Sequence, residues 1–167
     1  ALAEASAAGA GGLTLIPYFD GERTPNLPKA TGVLAGLRSD VSREQVARAT
    51  IEGVACHLLD ALDAVRAHAD VTGRVVLVGG GARSASLRQT IADLCDRPVF
   101  VVDEPEAVAT GAAVQAAAVL AGCTPSEIAD RWRLGTGELV QRAPDEGTGD
   151  TVRAQYASLR DHAYAVD

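Results

Sequence analysis

The residues best suited to chemistry lie in the run VVLVGGGARS at residues 75–84. A strand rich in β-branched residues ends there in Gly79, Gly80 and Gly81. Glycines at a strand end can take positive φ angles and let a ligand approach the backbone, and the N–H groups that open the next helix favour an anion. The pattern therefore predicts a turn that cradles the phosphates of a nucleotide.

A helix is predicted directly after this turn. Leu87, Ile91 and Leu94 recur at helical spacing, and the hydroxyl of Ser84 or Ser86 can cap the first helical turn. A second strand is predicted to follow, and two parallel strands joined by a helix form a βαβ unit. Strand, glycine turn and helix together predict an α/β protein.

Two other interpretations of the glycine turn stay open on the residues alone. The spacing Gly79-x-Gly81-x-x-Ser84 also imitates a dinucleotide-binding fingerprint, with Asp103 at the end of the next strand as the ribose-binding acid. The helical region before the turn argues against that fold, because the fingerprint usually opens it. The glycines can also make a tight turn that binds no ligand.

The remaining elements follow from hydrophobic spacing and turn residues. A long helix is expected from Arg43 to Ala69, capped by Asp40 or Ser42. Its apolar face is predicted at Ile51, Val54, Leu58, Leu62 and Val65. The second strand is expected at 98–103, and further helices are expected at 105–121, 124–132 and 152–165, with a loop at 143–150. Small residues at 109–113 should let their helix pack closely on the sheet or near a nucleotide.

Two stretches resemble the C-terminal part of the FGGY family of carbohydrate kinases. The first is Gly32-Val-Leu-Ala-Gly-Leu37, followed after seven residues by Gln45-Val-Ala-Arg-Ala-Thr-Ile-Glu52, which fits the family's C-terminal signature. The second, GGGARSASLRQTIAD at 79–93, resembles the family's adenosine motif. The resemblance runs from about Gly12 to Gly122.

The resemblance implies an actin-like ATPase fold of the ribonuclease H type, with ATP bound in a cleft between this domain and an N-terminal one. It implies that the backbone of Gly80 and Gly81 lies against the nucleotide, with Ser84 beside the adenine. The implied ATP-binding residues are Gly79, Gly80, Gly81, Ala82, Arg83 and Ser84. Arg83 either stacks on the base or faces solvent.

The segment LIPYFDGERTP at 15–25 resembles family members that act on D-xylulose more than those that act on glycerol, gluconate or ribulose. The resemblance thus implies transfer of the γ-phosphate of ATP to D-xylulose, giving D-xylulose 5-phosphate. Glu22, Arg23 and Thr24 form a candidate substrate or interdomain loop, in which a Glu-Arg ion pair can instead hold the shape of the turn. The alternatives are another FGGY kinase, acting on gluconate, ribulose or glycerol, and a non-catalytic actin-like nucleotide-binding module.

Phosphoryl transfer needs a base and Mg²⁺. In the family the aspartate base belongs to the region that precedes this one, so no catalytic or metal-binding residue is assigned here. Because the chain starts at Ala1, with a segment that the family places after its N-terminal domain, we expect a fragment that is inactive alone. Its expected partners are ATP, a small sugar, the missing N-terminal kinase domain and a possible homodimer mate.

Composition narrows the class of protein. The 167 residues carry a formal net charge of −7, which argues against nucleic-acid binding. No apolar run reaches the roughly 18 residues of a membrane span, so no membrane partner and a cytoplasmic location are expected. Cys56, Cys95 and Cys123 have neither disulfide nor zinc spacing, and we expect at least two buried free thiols.

Four polar positions receive no chemistry from the sequence. His57, His68 and His162 lie at no metal-ligand spacing and are expected to be structural or exposed. Glu52 lies within the signature, where it can cap a loop or pair with an arginine.

One partial domain is expected over 1–167. Within it we predict an extended loop segment at 12–40, an α/β core with the nucleotide motif at 41–122 and a C-terminal helical tail at 123–167.

Overall fold

The computed structural model describes residues 2–102, 106–143 and 147–165. Its strands are β1 (Thr14–Ile16), β2 (Val33–Ala35), β3 (Val75–Leu77), β4 (Val99–Val101) and β5 (Glu138–Val140). Its helices are α1 (Arg43–Arg66), α2 (Ala85–Leu94), α3 (Ala107–Ala121), α4 (Pro125–Arg131) and α5 (Thr148–Ala163). Short 3-10 turns lie at Leu2–Ala5, Ala10–Gly12 and Gly80–Arg83.

The predicted βαβ unit is confirmed by β3, α2 and β4. The two strands are parallel, with Val75 opposite Val99 and Leu77 opposite Val101. On the other side of β4, β5 pairs antiparallel, with Val99 opposite Val140. The second strand is shorter than the expected 98–103, and Asp103 lies outside the described residues.

Helix α1 begins and is capped as predicted but buries a different face. The Ser42 hydroxyl accepts from the amide of Gln45, whose side chain accepts from the Ser42 amide in return, completing a capping box. The predicted apolar face is wrong at Leu58 and Val65, which are 48% and 53% exposed. The buried positions are small or polar ones, namely Ala49, Glu52, Gly53, Ala55, Cys56 and Leu59.

The reason for this face is close contact between α1 and β1. A Cβ atom on Gly53 would collide with the carbonyl oxygen of Leu15, so the helix backbone lies against the strand backbone at this point. The hydrophobic periodicity of a sequence identifies the face with large apolar residues. Where two backbones come close together, the buried face instead holds small residues. The helix also ends at Arg66, before the expected Ala69.

The segment 12–40 is more ordered than an extended loop. β1 and β2 lie within it and pair antiparallel, with Leu15 opposite Leu34. Between them, Glu22 and Leu27 form an isolated bridge. β1 of this pair provides the surface on which α1 packs.

The region 123–167 is not a separate helical tail. β5 belongs to the sheet, and α5 starts at Thr148, earlier than the expected 152. Val152 and Tyr156 of α5 join a core cluster with Ile16, Tyr18 and Cys56. Of the loop expected at 143–150, residues 144–146 lie outside the described part.

Helix α3 packs on α4, which starts at a capping box formed by Thr124 and Glu127. In the described residues, no single helix is long and apolar enough to cross a membrane. α3 and α4 reach that length and composition only as a pair, and the pair is bent by 109°.

Candidate functional site

The glycine turn has the backbone geometry that the sequence predicts. Gly79 has φ 83° and ψ −171°, a combination that is essentially restricted to glycine. No atom lies within 4 Å of the position that a Cβ on Gly79 or Gly80 would occupy. The backbone at the end of β3 therefore faces open space, and a ligand can approach it directly.

The residues after the turn join it to α2. Gly80–Arg83 form one turn of 3-10 helix, and the first N–H groups of such a turn have no partner within it. Ala82 is 9% exposed and anchors the turn in the protein. A Cβ on Gly81 would lie 3.6 Å from Leu87 Cδ2, an ordinary van der Waals contact, so this position tolerates a small side chain.

Ser84 and Arg83 have different surroundings. Ser84 is the N-cap of α2, where its Oγ accepts from the amide of Leu87 at 3.3 Å. The alternative cap, Ser86, donates its hydroxyl to Glu4 Oε1 at 2.7 Å instead. Arg83 is exposed, and whether it stacks on a base stays a prediction. The N-terminus of a ten-residue helix thus opens beside the glycine turn.

A cavity of about 590 Å³ lies next to this turn. Val78, which directly precedes Gly79, lines it together with residues of β3, α3 and the turn after α4. The helix stretch 109–113 was expected to pack closely on the sheet, but the cavity separates α3 from the strands, and Gly111 in its middle is exposed. Within the described residues this stretch does not pack on the sheet, and its place near a nucleotide stays a prediction.

The second predicted site, Glu22 to Thr24, is held by backbone hydrogen bonds. Glu22 Oε1 accepts from the amides of Arg23 and Thr24 at 2.7 and 2.9 Å. Burial alone would raise the pKa of Glu22. The two amides and the neighbouring His57 outweigh burial, because they stabilise the charged carboxylate, so the pKa of Glu22 is lowered. The expected ion pair within the loop is therefore replaced by bonds to its own backbone.

Sequence reasoning missed the partner of Glu22 on α1. His57 Nε2 lies 3.1 Å from Glu22 Oε2, and the ring of Tyr18 meets the imidazole edge-on with centroids 5.4 Å apart. His57 therefore fixes the loop on α1. No local spacing could have revealed this contact, since it depends on how the segment after β1 folds over the helix.

Glu52 confirms its expected role, because it does both things that the sequence allows. Its Oε1 accepts from Arg48 Nε at 2.6 Å and from the amide of Gly9 at 2.9 Å. Only 6% of its side chain is exposed. This buried carboxylate connects the N-terminal segment to α1, so its role in the described structure is a structural one.

The two predicted sites lie in different parts of the fold. Glu22 lies against His57 on α1, whereas the glycine turn lies between β3 and α2. Thr24 instead lines a separate cavity of about 500 Å³, beside Asp60 and Arg160. Across the described ranges, no group of three His, Cys, Asp or Glu side chains is arranged to hold a metal ion.

The thiols follow the sequence prediction. Cys56 and Cys95 are buried and free, and Cys123 is partly buried. Burial raises the pKa of Cys56 to about 12, so the thiol stays protonated and unreactive in the folded protein.

Residues 1–120 match the model of the FGGY family of carbohydrate kinases, C-terminal domain. The chain belongs to this family, and its fold is the actin-like ATPase fold of FGGY sugar kinases. This assignment replaces the dinucleotide-binding alternative.

Within the family, the chain is similar to several proteins named xylulose kinase. The chain is 44% identical over 143 residues to "Xylulose kinase" of Streptomyces rubiginosus, a match that covers 84% of this chain and 30% of the relative. It is 39% identical to the crystal structure of xylulose kinase from Bifidobacterium adolescentis, with a TM-score of 0.73 over 95% of this chain and 30% of that one. Ligand-bound xylulose kinase from Lactobacillus acidophilus gives a TM-score of 0.82 at 25% identity, over 98% of this chain and 34% of that one. The chain thus spans about 30% of the length of the first curated relatives that it matches.

Proposed function

We propose that this chain is the ATP-binding part of a sugar kinase that transfers the γ-phosphate of ATP to D-xylulose, giving D-xylulose 5-phosphate. The observation that carries the proposal is the open backbone at Gly79 and Gly80, at the N-terminus of α2. Relatives named xylulose kinase at 44% identity support the choice of sugar.

In this proposal the glycine turn lets the nucleotide lie directly on the backbone. The open N–H groups of the 3-10 turn face it, and the positive end of α2 favours its negative charge. Ser84 keeps α2 capped, so the first helical turn stays ordered when the nucleotide binds. Exposed Arg83 is free to reach the base or a phosphate.

We propose a different role for the loop at Glu22. Glu22 positions the loop through its own backbone and His57, and exposed Arg23 and Thr24 contact the sugar or the other kinase domain. Mg²⁺ would arrive bound to the phosphates of ATP, where it offsets their charge during transfer. The base that takes the sugar proton would come from the rest of the longer protein.

Two further points concern the location and the oligomeric state of the protein. We propose a cytoplasmic location, because the proposed reaction needs ATP. A homodimer stays a prediction from the sequence.

The test is an assay of the full-length kinase that contains this chain, with ATP, Mg²⁺ and a panel of D-xylulose, L-ribulose, gluconate and glycerol. We expect turnover selective for D-xylulose. In Gly81→Asp, a carboxylate beside the phosphates should lower kcat/KM by about tenfold or more, because like charges repel in a partly desolvated site. Gly81→Asn has the same size without the charge and should lose much less.

The outcomes separate the alternatives. Turnover of gluconate, ribulose or glycerol instead would keep the family and discard the choice of sugar. ATP binding without turnover of any sugar would favour a non-catalytic nucleotide-binding module. Turnover by the 167-residue chain alone would contradict the proposal that the other domain supplies the base.

A further inference from the structure

The tip of the candidate sugar loop, residues 22–26, is joined to α1 through one carboxylate. We call these residues the loop tip. Oε1 of Glu22 accepts from the amides of Arg23 and Thr24, whereas Oε2 lies 3.1 Å from His57 Nε2. Only 15% of the Glu22 side chain is exposed. The same carboxylate therefore holds the shape of the loop tip and fixes it on the helix.

The other hydrogen bonds of this loop act away from that contact. Glu22 and Leu27 exchange two backbone hydrogen bonds, at 2.9 and 2.8 Å, which join one part of the loop to another. The hydroxyl of Tyr164, just after α5, donates to the Thr31 carbonyl beyond the loop tip. Within the described ranges, no other hydrogen bond or ion pair joins the loop tip to a helix. His57 is therefore the polar anchor of the loop tip.

The imidazole of His57 has different surroundings at its two nitrogens. Nε2 faces Glu22, whereas Nδ1 is buried and has no hydrogen-bond partner among the described residues. The ring of Tyr18 packs edge-on against the imidazole. The charge of Glu22 favours a doubly protonated ring, but the second proton would form a buried N–H group without an acceptor, which is unfavourable. A neutral ring with its proton on Nε2 avoids that group and still donates to Glu22.

The loop tip presents polar side chains to solvent. Arg23, Thr24 and Asn26 are exposed, and their guanidinium, hydroxyl and amide groups supply both donors and acceptors. The hydroxyl groups of a sugar accept and donate hydrogen bonds in the same way. Such bonds contribute most to binding when the protein groups are held in place before the ligand arrives. The anchor at His57 holds the loop tip in this way.

We infer that His57 is a positioning residue for the sugar: as a neutral imidazole that donates its Nε2–H to Glu22, it holds the loop tip where Arg23 and Thr24 contact the sugar hydroxyls. This role rests on the proposed function, because the loop tip must face the sugar. A hydrogen-bond donor at position 57 is required for it, and a positive charge is not.

The first test is steady-state kinetics of the full-length kinase with variants at position 57. His57→Ala should raise KM for the sugar by about tenfold, because a hydrogen bond to a charged group is lost. kcat and KM for ATP should change by less than about twofold, since sugar binding alone is weakened. His57→Gln should recover most of the sugar affinity, because its side-chain amide donates a hydrogen bond without carrying a charge. His68→Ala, at an exposed histidine just after α1, is the matched control and should change no parameter.

The kinetic outcomes separate a positioning role from a general loss of structure. A rise in KM for ATP equal to that for the sugar would indicate general loosening of the protein and would overturn the inference. So would a fall in kcat at unchanged KM for the sugar, or a loss in His57→Gln as large as that in His57→Ala. KM is measured with whichever sugar of the panel the kinase turns over, so a wrong choice of sugar contradicts the proposed function and leaves this test intact.

The second test needs no turnover and stays valid if the proposed function fails. In the full-length kinase labelled with ¹⁵N-histidine, the side-chain NMR signals that disappear in His57→Gln belong to His57. At neutral pH we expect a protonated Nε2 and an unprotonated Nδ1. Two protonated nitrogens, or a proton on Nδ1 alone, would overturn the inference.

Discussion

Helices α5 and α3 have nearly the same length, 16 and 15 residues, and opposite surroundings. α5 is amphipathic: Val152 and Tyr156 enter the core, and its arginines pair with acids of α1. α3 carries no charged residue and buries Val114 and Ala118 against α4, but it leaves Val119 exposed. The comparison teaches that an amphipathic helix covers its apolar face within the domain, whereas α3, which has no charged face, leaves large apolar side chains uncovered within the described residues.

The largest expected effect on stability is the difference between truncating a buried side chain on α5 and truncating an exposed one on α3. Tyr156 is 1% exposed at the junction of α5, β1 and α1. Tyr156→Ala should lower the free energy of unfolding by about 3–5 kcal/mol, because it leaves a cavity in the core. Val119→Ala on α3 should change it by less than about 0.5 kcal/mol. Urea denaturation of both variants in the isolated chain measures the difference, and similar losses would break the comparison.

The next effect compares two helical glycines. Gly53→Ala should cost about 1–3 kcal/mol, because the new Cβ collides with the Leu15 carbonyl and pushes α1 from β1. Gly111→Ala on α3 meets nothing within 4 Å. It should stabilise the isolated chain by about 0.5–1 kcal/mol through helix propensity. Thermal unfolding of the two variants gives both signs, and destabilisation by Gly111→Ala would mean that α3 is packed more tightly than described.

The sequence predicts those elements of the fold best whose local signals are not overridden by tertiary contacts. Leu87 and Ile91 mark α2, glycines mark the turn, and Ser42 marks the start of α1, because each depends on neighbours in sequence. The face of α1 could not be predicted from periodicity, since Gly53 is buried by the approach of β1. β5 was missed because three residues with two exposed carry too weak a pattern.

The candidate site divides in the same way. The turn at Gly79 was found because its backbone conformation needs glycine at a strand end, and a sequence displays that glycine directly. The role of Glu22 was found only in part, because its partner His57 is brought to it by the fold. The assignment of ATP to Gly79–Ser84 stays a prediction.

A smaller effect is expected at Glu22, on the packed side of the molecule. Its pKa is lowered in the folded protein, so its carboxylate contributes stability above the unfolded pKa of about 4.3, which is lost as the pH falls through the folded value. Glu22→Gln should cost about 1 kcal/mol at pH 7 and less at low pH. Denaturant titrations at several pH values measure this. Asp40→Asn, at the exposed ion pair with Arg38, is the control and should show no measurable change.

The last prediction concerns thiol labelling, which compares the region of α3 and α4 with the packed core around α1 without a substitution. Cys123 packs beside α3 and α4 and is partly exposed, whereas Cys56 and Cys95 are buried. A thiol reagent should modify Cys123 first and the other two only on unfolding. Mass spectrometry of the labelled peptides identifies the order, and early labelling of Cys56 would contradict the packing of α1 on β1.

The central claim is that ATP binds at the glycine turn, and hydrogen exchange of the full-length kinase with and without ATP tests it most directly. We predict that ATP slows exchange across Gly79–Ser84 and the first turn of α2, and that Gly81→Asp abolishes this protection while Gly81→Asn retains most of it. ATP-dependent phosphorylation with no change in exchange at Gly79–Ser84 would contradict the account.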